Sequence, residues 1–244
     1  MYFIFRMYGE TVEITEIEKE PKKVRVYRSR KRNPIHGLRR PDNIRRARKT
    51  CLWRVSAAVA ELGCPLLVTL TFAGDASDAS YANDSLRVFQ VRLRAQFPDA
   101  QSLFVPELSP RGRIHFHGLL FNVPLSLGDT RNGKRVVSYG DERKLRTLAE
   151  LWGEGYVDAR KTDGSPRLAS YLSKYITKGA GQVMFNAMRL LRISRGFPRE
   201  DVVRGDLAKE LARRYAMRKP ARVWKGDNIF LGHIKKTMYY QNVK

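Results

Sequence analysis

The pattern of apolar and polar positions divides the chain into short elements. Leu66–Phe72 (LLVTLTF) is an apolar, β-branched run ended by Gly74, which predicts a buried strand. Leu86, Phe89, Leu93 and Phe97 recur at i, i+3, i+7 and i+11, so residues 81–97 predict an amphipathic helix. Residues 102–107 and 113–122 read as two strands joined by a turn composition, Leu-Ser-Pro-Arg-Gly, and predict an antiparallel hairpin. A helix over 141–151, a strand over 155–160 and a helix over 166–178 closed by Gly179 follow. Before this block, residues 2–7 and 11–17 read as short strands and 41–62 as a helix. After it, the tail from residue 181 reads as helix-rich, with a short strand near 228–233. Hairpins interspersed with helices predict an α+β fold, an antiparallel sheet with helices on one side. The division expected is 1–64 (strands, basic arm and helix), 65–198 (the α/β block) and 199–244 (a basic helical tail).

Charge changes the picture. The 244 residues carry 47 Lys+Arg against 24 Asp+Glu, a net +23, which points to a polyanionic partner, most often nucleic acid. Residues 22–49 alone hold thirteen Lys/Arg and one acid, Asp42, with three prolines nearby or within. This reads as an extended basic arm leading into a helix, and Arg30, Lys31, Arg32, Arg39, Arg40, Arg45 and Arg46 are its candidate phosphate contacts. Arg111, Arg113 and Arg195 are further candidates. No apolar run approaches the roughly 20 residues of a membrane span, and residues 1–20 lack the order of a secretory signal. A cytoplasmic, DNA-associated protein without membrane contact is expected. Cys51 and Cys64 are too few for a disulfide framework or a Cys-rich zinc module. No GxxxxGK[ST] loop is present, which excludes a P-loop motor.

Two clusters carry chemistry. In Arg113-Ile-His115-Phe-His117, period-two alternation puts both imidazoles on one strand face, and the hairpin brings Glu107 alongside. Two nitrogens and a carboxylate suit Mg²⁺ or Mn²⁺ acting on a phosphate, zinc being a further option. The plain alternative is two histidines on a wet sheet face. In Tyr171-Leu-Ser-Lys174-Tyr175-Ile-Thr-Lys178, helical spacing puts Tyr171 and Tyr175 one turn apart with Lys174 and Lys178 flanking them. Ammonium groups beside a phenol favour the phenolate and offset phosphate charge; the alternative is a packed aromatic pair with snorkelling lysines. Arg192-Ile-Ser-Arg195-Gly-Phe-Pro198 is a basic turn on phosphate or a loop that ends a helix.

The order of these motifs resembles the HUH endonuclease superfamily of rolling-circle replication initiators, over about residues 65–198. Thr69–Phe72 matches its first motif, His115 and His117 its second, and the helix of Tyr171 and Tyr175 its third. The paired tyrosines look most like the two-tyrosine branch, with the gene A proteins of small phages and related plasmid initiators. The resemblance implies a five-stranded ferredoxin-like antiparallel sheet, a metal on His115, His117 and Glu107, and nicking of single-stranded or hairpin origin DNA. It implies Tyr171 as leading nucleophile, Tyr175 as the second, Lys174 and Lys178 as phosphate-side helpers, and a tyrosine left on the 5′ end. A host helicase and DNA polymerase are the implied partners. A transposase of the same superfamily and a non-catalytic nucleic-acid-binding module remain as alternatives.

Overall fold

The computed structural model describes residues 1–21, 41–74, 76–124, 147–165, 167–179 and 188–241, with the backbone alone for 41 and 177–179. The described residues fall into two units, 1–21 with 199–241, and 41–198. This grouping differs from a division at residues 64 and 198: the first strands go with the tail, and the helix from residue 41 goes with the central block.

In the first unit, strands β1 (Tyr2–Tyr8) and β2 (Thr11–Ile17) form a hairpin turning at Gly9, whose φ is 55°. The tail is not a helical extension. It supplies β8 (Asp201–Arg204), one helix α5 (Asp206–Arg213), β9 (Arg222–Asn228) and β10 (Gly232–Tyr240). The sheet order is β8-β1-β2-β10-β9, antiparallel throughout. The single strand expected near 228–233 is instead the turn between β9 and β10 with the strand ends beside it. The Asn228 side chain holds that turn by accepting from the amides of Phe230 and Leu231. Phe5, Val12, Ile14, Ala208 and Tyr239 form the core under α5.

The second unit runs α1 (Pro41–Leu62), β3 (Leu66–Phe72), α2 (Ala79–Gln96), β4 (Gln101–Leu108), β5 (Ile114–Phe121), α3 (Leu148–Trp152), β6 (Gly155–Lys161), α4 (Arg167–Gly179) and β7 (Arg192–Ile193). Its antiparallel sheet has the order β6-β3-β5-β4-β7. The first four strands in chain order therefore lie as fourth, first, third, second, which is the ferredoxin-like split βαβ arrangement. The α+β class is as the pattern predicts, and the five-stranded sheet is as the resemblance implies. Helix α3 occupies only 148–152 of the expected 141–151, residues 141–146 lying outside the described ones.

Helices cover both faces of this sheet, not one. Leu66, Val68, Leu70 and Phe72 of β3, Phe104 of β4 and Ile114, Phe116 and Leu120 of β5 pack on Leu86, Phe89 and Leu93 of α2 and Trp152 of α3. Leu103 and Val105 of β4 and Leu119 and Phe121 of β5 pack on Cys51, Val55 and Ala58 of α1 and Leu168, Leu172 and Ile176 of α4. A strand apolar at successive positions is buried on both sides, and Leu119-Leu120-Phe121 is such a run. Phe104 lies opposite Gly118, and its ring takes the space that a side chain there would need.

Two tests follow from this packing. A Cβ at residue 118 falls inside van der Waals contact of the Phe104 ring and 2.8 Å from the Leu103 carbonyl oxygen. Gly118→Ala is expected to cost about 1–3 kcal/mol, a fall in Tm of roughly 2–12 °C at this chain size; a thermal melt checks it. Burial pushes the Cys51 thiol up to about 12, while Cys64 is exposed. A disulfide reagent near neutral pH should therefore titrate a single thiol in the folded protein and both in denaturant.

Candidate functional site

Strand β5 places the site because its two faces differ. Ile114 and Phe116 point into the α2/α3 core, so His115 and His117 emerge on the opposite face, half-buried. The hairpin turn fixes the register: the amide of Gly112 donates to the Ser109 carbonyl at 2.9 Å, and Gly112 sits at φ 79°, where a side chain is strained. Glu107 pairs directly with His115, and Val105 with His117. On the other side Thr71 pairs with His115 and Thr69 with His117.

The threonines orient the imidazoles. Thr71 Oγ1 is 3.1 Å from His115 Nδ1, and Thr69 Oγ1 is 3.2 Å from His117 Nδ1. Both Nδ1 atoms are thus engaged on the β3 side, which leaves each Nε2 as the atom that can meet a ligand. Trp152 Nε1 donates to the Thr71 carbonyl at 3.1 Å, tying this rung to the core. Desolvation lowers the His115 pKa, with Arg113 adding to the effect and Glu107 opposing it. The shift favours the neutral imidazole, the form that binds a metal.

His117 Nε2 lies 2.5 Å from Glu107 Oε2. An imidazole nitrogen and a carboxylate oxygen at that distance share a proton in a short hydrogen bond. Among the described residues, no three His, Cys, Asp or Glu side chains converge closely enough to hold a metal ion together. By donor type alone, two imidazole nitrogens and one carboxylate are groups that bind divalent ions.

Helix α4 delivers the tyrosines. Leu168, Ala169, Leu172 and Ile176 bury one side, which leaves Tyr171 40% exposed and Lys174 in solvent. The Tyr175 ring stacks on the His117 imidazole, centroids 3.8 Å apart and planes at 12°. Its hydroxyl donates to Tyr171 Oη at 2.5 Å, the two rings meeting edge to face. The expectation that flanking lysines favour the phenolate does not hold for Tyr175. Burial first, then the bond to Tyr171 and the charges of Tyr171 and Glu107, push its phenol well above the ordinary value.

The structure therefore brings Glu107, His115, His117, Tyr175 and Tyr171 into one contiguous group. Lys174 is on the same helix and exposed; the side chain of Lys178 lies outside the described residues. Arg113 is exposed next to His115, and Arg111 is exposed on the hairpin turn. Arg45 and Arg46 are exposed on α1, with Arg45 3.7 Å from Asp42. Arg30, Lys31, Arg32, Arg39 and Arg40 lie outside the described residues. The 192–198 segment holds the edge strand β7, which pairs with β4, followed by a loop tied down by Arg54 to the carbonyls of Phe197 (3.0 Å) and Pro198 (2.7 Å). Arg195 projects from that loop into solvent.

Sequence reasoning assigned no role to Thr69 and Thr71. Their signal was two polar residues at alternate positions of an otherwise apolar strand. Comparison with known proteins bears on the same region. Residues 65–180 match the model of a replication-associated protein family, that of ORF2. The match covers a little under half of the chain and takes in β3 to α4, with all five grouped residues inside it. The similarity points to a replication-associated role. No curated protein and no solved structure matches the chain significantly. No described helix is long and apolar enough to cross a membrane.

The threonine contacts generate a test. Thr69→Val keeps the shape of the side chain and removes the oxygen at His117 Nδ1. Mn²⁺ affinity measured by calorimetry should fall roughly 10- to 100-fold, the usual loss when a partner of a metal-binding histidine is removed.

Proposed function

We propose that this protein is a metal-dependent, site-specific endonuclease and strand transferase of the HUH type, which cuts single-stranded DNA at a replication origin to start rolling-circle replication. The observation that carries the reading is the unbroken path Glu107–His117–Tyr175–Tyr171, in which a candidate metal pair touches a tyrosine pair. The match to a replication-associated family supports replication over transposition. A purely binding module leaves unexplained why two tyrosines adjoin a carboxylate–imidazole pair.

Glu107, His115 and His117 would hold Mg²⁺ or Mn²⁺, and the ion when bound would polarise the phosphate to be cut. Tyr171 is the leading nucleophile because its hydroxyl is the exposed one and accepts the hydrogen bond between the two phenols. Tyr175, held protonated by its surroundings, donates to Tyr171 Oη, and that bond strengthens as the oxygen gains negative charge. In the step itself, Tyr171 Oη forms a bond to phosphorus as the bond from phosphorus to the 3′ oxygen breaks. The phenol proton ends on the departing 3′ oxygen, and the phosphate remains as a diester between Tyr171 and the 5′ strand. Lys174, and Lys178 with it, offset phosphate charge. The freed 3′ hydroxyl would serve a host DNA polymerase, with a host helicase opening the duplex. Tyr175, one turn away, is the second nucleophile, which would let one end be held while another is cut.

End-labelled single-stranded origin DNA, incubated with the protein and Mn²⁺ and run on a denaturing gel, tests this. Wild type should leave protein attached to the new 5′ end, and a chelator should stop the reaction. Tyr171→Phe should abolish the adduct. Tyr175→Phe should slow the first cut about 10- to 150-fold, as expected for losing a hydrogen bond of ~1.5–3 kcal/mol to a charged group. Cleavage that survives the double substitution would retire the tyrosine mechanism.

A further inference from the structure

The rungs that hold the histidines continue beyond β3 onto β6, the last strand on that side of the sheet. Thr71 pairs with His115 on one side and Tyr156 on the other; Thr69 pairs with His117 and Asp158. Directly paired residues share a face, so Tyr156 and Asp158, and Arg160 two residues on, lie on the face that carries the imidazoles. Val157 and Ala159, between them, are buried in the opposite core. Two strand spacings, about 10 Å, separate the backbone of Tyr156 from that of His115.

These three side chains do little for the fold. Tyr156 is 63% exposed although it sits in a sheet with a well-filled core. Arg160 makes two bonds to Asp158 Oδ2, at 2.9 and 3.1 Å, but the Arg160 side chain is largely in solvent and that of Asp158 is half-exposed. A pair so exposed contributes almost nothing to stability, yet it fixes the direction of a planar guanidinium. After Asp158, the Tyr171 phenol is a smaller electrostatic influence on the Arg160 guanidinium, in keeping with both belonging to the face that carries the imidazoles. An exposed ring and an oriented guanidinium in line are what a single strand needs: a base to stack and a phosphate to bond.

We propose that the outer face of β6 holds the single-stranded DNA beside the cut, with Tyr156 stacking on one base and Arg160, aimed by Asp158, bonding the backbone phosphate next to Tyr171. This rests on the nuclease reading of the same face and adds where the strand runs. Stacking on a tyrosine tolerates any base, so β6 supplies grip and register, not sequence choice. The overall charge of +23 supplies long-range attraction.

The test is binding of the full-length chain to fluorescein-labelled oligothymidylate, read by anisotropy with chelator present so that no cutting intervenes. Tyr156→Ala should weaken binding roughly 5- to 150-fold, the range for loss of one base stack. Tyr156→Phe, which keeps the ring, should bind within about twofold of wild type, and Arg160→Gln should reduce the salt slope by about 0.7, one phosphate's share for a single strand. Wild-type affinity in Tyr156→Ala, equal losses in the alanine and phenylalanine variants, or an unchanged slope in Arg160→Gln would overturn the proposal. If the wild type forms the tyrosine adduct and Tyr156→Ala binds normally, only the β6 inference fails. If binding depends on Tyr156 but no adduct ever forms, only the nuclease reading fails.

Discussion

The register of β5 is the constraint on which the second unit depends. Along IHFHGLLF, odd and even positions serve different sides of the sheet, and a slip of one residue exchanges them. Such a slip would push His115 and His117 into the core against Phe89 and Trp152 and bring Phe116 out onto the polar face. The cost of that exchange keeps the imidazoles in place more firmly than any bond they make themselves. Phe104 over Gly118 locks the same register from the neighbouring strand, because only a residue without a side chain fits beneath the ring. Core packing and site geometry are therefore one specification.

The position of the site along the strand has a related cause. At the Phe121 end, β4 and β5 are buried on both sides, under α2 and α3 on one face and α1 and α4 on the other. At the Ile114 end the second face is polar, and α4 meets it with Tyr175 rather than with an aliphatic side chain. The stacked ring is where the apolar helix–sheet interface stops and the polar face begins. Aromatic stacking contributes about 1 kcal/mol beyond area burial, a modest sum, but here it also sets the height of Tyr171 above the sheet. The rigidity of the helix thus passes to a hydroxyl that is itself in solvent.

Most of the second unit is legible in the sequence because its signals are local. Leu66–Phe72 and Pro41–Leu62 have the bounds that composition and periodicity suggest, and the Glu107/His115/His117 cluster follows from alternation plus a hairpin. What is not legible depends on pairing between distant residues. Val223–Asp227 alternates poorly because β9 is an edge strand exposed on nearly every residue, so nothing marks it as a strand until β10 is beside it. The helical pattern of Asp206–Arg213 is real but short, and extending it over the tail hides three strands. Tyr156, Asp158 and Arg160 are visible as a strand, but their face is set by pairing with β3, which no local pattern records. A sheet covered on one side only is what alternation suggests; the doubly apolar run at Leu119–Phe121 is the contrary signal, and it is the one the packing follows.

The first sheet joins β1 and β2 to β8 and β10, so strands near one end of the chain wait for strands near the other. During synthesis at about 5–20 residues per second, roughly 10–40 s separate the appearance of the β1–β2 hairpin from that of β10. The intervening residues include every member of the tyrosine–histidine group. On a ribosome the unit that carries them can finish folding first, while the hairpin stands with both edges open to stray pairing. The acidic residues of the hairpin, Glu10, Glu13, Glu16, Glu18 and Glu20, give it a charge that discourages such pairing with another copy of itself. They also leave Glu16 ready for Lys235, which reaches it at 2.7 Å once β10 arrives.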